Sequence, residues 1–105
     1  MLRILAVFVF VLAATVPAAL AADGAQIYKD RCAKCHGDTG KADTPIAKTL
    51  KTPALAGDAK VAGMTDADLA KAIATNPKHA AFMKTVSEGD VAAVAVYVKQ
   101  LAAAT

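Results

Sequence analysis

Cys32-Ala33-Lys34-Cys35-His36 contains the only two cysteines of the chain and one of its two histidines. How these five residues are read decides what kind of core the protein has. A disulfide between Cys32 and Cys35 closes a very small loop, and the entropic gain from a cross-link shrinks with loop size. A dithiol redox centre of this spacing belongs with a strand–helix pattern, and the sequence shows no strand alternation. Structural zinc needs four ligands. His36 and His79 would have to complete the set, and neighbours in sequence such as Cys35 and His36 make poor tetrahedral partners. A histidine directly after the second cysteine gives a fourth reading, the covalent attachment of haem.

The rest of the chain favours that fourth reading. Residues 4–16 are apolar apart from Thr15, Arg3 precedes them, Pro17 ends the run, and Ala19-Leu20-Ala21 offers small residues where a signal peptidase cuts. This layout predicts a secretory signal peptide over residues 1–21 and a single domain over residues 22–105, exported to the periplasm. A membrane anchor is the alternative, but thirteen residues are short of the roughly 20 that span a bilayer, and no other stretch is a candidate span. Loss of Arg3 lowers the formal charge from +3 to +2. The remaining chain is rich in Ala, has no Trp and keeps one Phe, Phe82. A domain so short and so poor in large side chains buries too little apolar surface to be stable alone. It needs a staple or a large bound group.

The motif meets the chemistry of attachment. Side chains three apart on a helix share a face, so the Cys32 and Cys35 sulfurs each reach one haem vinyl group. His36 follows as the proximal iron ligand. Thioethers make the attachment permanent, and the haem becomes the missing core.

Helix signals organise the rest. Asp23 is a candidate N-cap for a helix over residues 24–34. Residues 37–63, punctuated by Gly37, Gly40, Pro45, Pro53, Gly57 and Gly63, read as loop, with one helical turn over 46–50. Thr65-Asp66-Ala67-Asp68 resembles a capping box, and the helix it starts ends at Thr75, before Asn76-Pro77. Ser87-Glu88-Gly89-Asp90 repeats the start signal, and Val91, Val94, Val98 and Leu101 lie on one face of a last helix. Met64 precedes Thr65, where a hydrophobic residue staples onto Leu69.

From Gly24 to about Leu101 the chain resembles the small class I cytochromes c, the bacterial monohaem carriers. The resemblance rests on Tyr28, on Cys32-Ala33-Lys34-Cys35-His36-Gly37, on Gly40-Lys41 and Thr44-Pro45. It extends to the capped middle helix, a Met in the following loop, and the ending Val96-Tyr97-Val98-Lys99-Gln100-Leu101. It implies an all-α fold of three to four helices wrapped around one covalently bound haem c, with the first and last helices crossed at a small residue such as Gly24. It also implies that a proline carbonyl accepts the His36 ring N–H. Pro45 suits that role by its distance after the histidine, with Pro53 as the alternative. Such a bond orients the ring and raises its basicity.

The family places a methionine opposite the proximal histidine. Met83 lies in the loop before the last helix, and a soft thioether there suits a low-spin haem iron. The sequence departs from the family around it: the residues are Ala80-Ala81-Phe82-Met83-Lys84, without the usual flanking Gly and Pro. His79, four positions earlier, and Met64 are the competing ligands; His79 would give a bis-histidine haem of lower potential.

The function implied is the carriage of single electrons between redox protein partners by a monomer that is not an enzyme. A haem sensor or a peroxidase would need an open sixth position. Residues 69–87 carry Lys71, Lys78 and Lys84 and no acid, either a solvated face or a positive rim that orients partners. No basic run carries aromatics, so nucleic-acid binding is not expected.

Overall fold

The computed structural model describes residues 23–104, and the predicted signal peptide lies outside the described residues. Asp23 caps the first helix: its carboxylate accepts the Gln26 N–H at 3.2 Å. This satisfies one of the free amides of the first turn, and α1 runs over Gly24–Arg31. The single helix expected over 24–34 is instead interrupted at Cys32 and resumes as α2, Ala33–His36. The interruption is slight, because the Cys32 N–H still donates to Tyr28 O at 2.8 Å and the His36 N–H to Cys32 O at 2.9 Å.

The next helices are α3, Pro45–Leu50, α4, Ala59–Ala62, and α5, Asp66–Thr75. Thr44 caps α3 with Pro45 in its first turn, where a missing N–H costs nothing. Asp58 caps α4 through the N–H groups of Lys60 and Val61. Thr65 caps α5 by accepting from the Asp68 N–H at 3.1 Å. A 3-10 turn, Pro77–His79, leads directly into α6, Ala80–Met83, and α7 covers Glu88–Ala103. Ser87 and Asp90 close a full capping box at its start, with bonds of 3.0 and 3.1 Å.

Among the described residues there is helix and no strand, as the resemblance implies. The helix inventory is larger than the three to four expected. The additions are one-turn helices, too short for an apolar period to appear in the sequence.

Helix α7 is the organising element and packs against α1, α4 and α5. Its buried residues are Val91, Val94, Ala95, Val98 and Ala102. Leu101, expected on this stripe, is half-buried, and Ala102 takes the buried position beside it. Tyr28 and Val94 are each only 1% exposed, and with Ala33, Leu69, Ala95 and Val98 they form the packed cluster. Met64 packs against this cluster, in keeping with a hydrophobic staple onto Leu69. Gly24 lets α1 approach α7: a Cβ there would overlap the Ala93 carbonyl, whose carbon it would meet at 2.7 Å. Among the described residues, four of the nine buried hydrophobic residues are alanines, so this core is small.

Candidate haem site

The haem motif sits where α1 gives way to α2, and several bonds hold it. Tyr28, on α1, donates its hydroxyl to the Gly37 carbonyl at 2.7 Å in a buried contact. Burial raises the Tyr28 pKa above its ordinary value, so the hydroxyl stays protonated and available to donate. Gly37 has φ of 83°, a backbone conformation that favours glycine, and this reverses the chain directly after His36. The Ala42 N–H then returns to His36 O at 2.7 Å. Thr44 bridges the motif to α3: its hydroxyl donates to Cys35 O at 3.2 Å and accepts the Ala47 N–H at 3.1 Å.

Both cysteines are free thiols and half-buried. Burial pushes the Cys32 thiol up to about 11, against the opposing pull of Arg31. The zinc alternative finds no support, since no group of three His, Cys, Asp or Glu side chains converges among the described residues.

His36 is half-buried, and its Nδ1 lies 3.3 Å from the Pro53 carbonyl oxygen. A carbonyl only accepts, so Nδ1 carries the proton and Nε2 presents a lone pair. Burial lowers the His36 pKa, nearby His79 adds to the fall, and the Pro53 bond opposes it. The neutral, Nδ1-protonated form is the one that ligates a metal through Nε2.

The carbonyl at His36 is therefore that of Pro53, and the expectation of Pro45 is corrected. Pro45 begins α3, and its carbonyl accepts the Thr49 hydroxyl at 3.5 Å within that helix. Pro53 is brought to His36 by the loop after it. Gly40, with φ of 77°, accepts the N–H groups of Leu55 and Ala56 at 2.6 and 3.0 Å, docking residues 53–56 against the turn after the motif.

From later in the chain, His79 in the turn after α5 approaches the motif. The His79 ring centroid lies 6.4 Å from that of His36, at an interplanar angle of 63°. His79 Nδ1 is 2.7 Å from Ile73 O, which leaves its Nε2 free by the same argument. Met83, the expected distal ligand, is half-buried at the last position of α6. Its neighbours Phe82 and Thr85 engage α1: the Arg31 guanidinium lies 5.5 Å from the Phe82 ring centre and donates to the Thr85 hydroxyl at 2.8 Å. The pairing of His36 with His79 was present in sequence only as a competing option.

The residues fit a haem. Two thiols and a neutral imidazole lie on one helical turn, and Ile46, Leu55, Val61, Ile73, Phe82 and Met83 are left half-buried by the protein core. An all-α chain with this turn has the character of a cytochrome c. The family model described as cytochrome c oxidase, cbb3-type, subunit III matches residues 19–98, and the chain belongs to that family of cytochrome c domains. The family binds covalently attached haem c. Comparisons with curated proteins and with solved structures return no match.

Proposed function

We propose that this chain is an exported monohaem c-type cytochrome that carries single electrons between redox proteins and is not itself an enzyme. The observation that carries the reading is the Cys32–Cys35–His36 turn, with His36 oriented by the Pro53 carbonyl. In this reading residues 1–21 are removed on export to the periplasm, Cys32 and Cys35 form the thioethers, and His36 is the proximal ligand. Haem held there supplies a one-electron couple. The protein's part is to exclude water, orient the proximal imidazole through Pro53, and offer a second axial donor from the segment after Pro77. That segment carries two donors. The family resemblance favours Met83, while the geometry favours His79.

The matching family is described as an oxidase subunit, and only its electron-carrier role is extended to this chain. Donor and acceptor are redox proteins that dock transiently, as is usual for electron transfer, on a monomer with weak overall charge. Among the described residues no helix is long and apolar enough to cross a membrane.

An optical redox titration tests this function. A single one-electron couple is expected, with no carbon monoxide binding to the reduced protein in the absence of denaturant. Ready carbon monoxide binding, or turnover of peroxide, would indicate a sensor or a peroxidase instead.

A further inference from the structure

We infer that His79, not a methionine, is the second axial ligand, so that the haem of this chain is bis-histidine. The inference rests on the proposed haem-carrier function and concerns the same site. Three observations support it.

The first is spacing. An imidazole nitrogen sits about 2 Å from the metal it ligates and roughly 1 Å from its own ring centre, so two imidazoles on one metal have centroids about 6 Å apart. The His36 and His79 centroids are 6.4 Å apart.

The second is the state of each ring. Both Nδ1 atoms face backbone carbonyls, Pro53 O at 3.3 Å and Ile73 O at 2.7 Å. Both rings are therefore fixed in the tautomer that frees Nε2, the arrangement expected of a metal-ligating histidine.

The third is preorganisation of the segment. The Asn76 side chain accepts the Lys78 N–H at 3.0 Å, capping the 3-10 turn that holds His79. The Lys78 ammonium reaches across to Leu50 O at 2.9 Å, at the carbonyl end of α3, and ties this turn to the loop on the proximal side. The turn is thus capped within itself and tied to the end of α3. Met83 has a different setting. It lies between Phe82, over whose ring the Arg31 guanidinium sits at 5.5 Å, and Thr85, whose hydroxyl accepts from Arg31, so its short helix is tied to α1 and not to the loop that carries Pro53.

A consequence is a lower reduction potential than a Met/His carrier would have, because a thioether favours ferrous iron. This suits partners more reducing than those of the methionine-ligated carriers.

The test uses the purified holoprotein, read by electron paramagnetic resonance and near-infrared absorption of the ferric form. The wild type is expected to be low-spin without the far-red band of a thioether–ferric bond. His79→Ala should keep its covalent haem, become high-spin, bind carbon monoxide when reduced, and recover the low-spin spectrum on addition of imidazole. His79→Met should acquire the far-red band and a raised potential. Met83→Leu should leave the ferric protein low-spin and without a far-red band. A far-red band in the wild type that Met83→Leu abolishes would overturn the inference, as would a low-spin His79→Ala protein without added imidazole. In either case the covalent haem would still stand. A polypeptide with no covalent haem would overturn the carrier reading along with this one.

Discussion

On one side of the molecule α7 meets α1 and α5 through apolar side chains. On the other, α2, residues 37–54 with α3, and the turn bearing His79 meet through hydrogen bonds. Tyr28, Val94 and Ala95 are almost wholly buried on the first side. On the second, Ile46, Ile73, Phe82 and Met83 are half-buried, and single polar contacts define the geometry: Thr44 to Cys35, His36 to Pro53, Lys78 to Leu50. The packed side is a small protein core held by shape. The other side is a frame whose apolar content is completed by a prosthetic group. Tyr28 belongs to both, with its ring in the core and its hydroxyl on Gly37.

The largest effect expected from breaking this division falls on the haem side. Replacing Cys32 and Cys35 together with alanine removes attachment and leaves a domain with only its alanine-rich core. Little folded protein should accumulate, as judged by far-ultraviolet circular dichroism and protease resistance. A stably folded double variant would show that the packed side suffices alone.

Next is Gly24→Ala. The new Cβ overlaps the Ala93 backbone, which no rotamer relieves, so α1 and α7 must separate. A loss of about 3 kcal/mol is expected in denaturant unfolding, at the upper end of overpacking effects, with the haem spectrum of the folded fraction unchanged. Tyr28→Phe is smaller and sharper. It leaves the Gly37 carbonyl without its partner at about 1 to 2 kcal/mol. Because Gly37 follows His36, this variant should also broaden the haem spectrum, which Gly24→Ala should not do.

These variants bear on what the sequence made legible. The long helices were readable because each carries a local signal: Asp23, Thr65 and Ser87 cap α1, α5 and α7 in turn. The motif residues were readable because their chemistry is contained in five consecutive positions. The partners of His36 were not. Pro53 reaches it only because Gly40 docks residues 53–56, and Pro45, nearer in sequence, is occupied as the first residue of α3. The one-turn helices α4 and α6 are shorter than an apolar period. The approach of His79 to His36 depends on how the chain returns after Pro77, which no local pattern encodes.

The smallest expected effect concerns partner docking. Lys71 and Lys84 are exposed, whereas Lys78 is engaged with Leu50. Lys78 therefore belongs to the frame more than to a docking rim, and the test of electrostatics should leave it intact. Reversing Lys71 and Lys84 to Glu should slow electron exchange with an acidic redox partner modestly at low salt. The difference should fade as ionic strength rises, since exposed charges are screened over about 8–10 Å. Equal rates at low salt would show that partners dock elsewhere.

The central claim is that a haem joined through Cys32 and Cys35 completes the half of this domain that the chain leaves unfinished. The most direct measurement is the intact mass of the denatured polypeptide purified from the periplasm of cells able to mature c-type cytochromes. The expected mass is that of the chain from Ala22 to Thr105 plus one haem, with no thiol open to alkylation. A bare chain with two alkylatable thiols would contradict the claim.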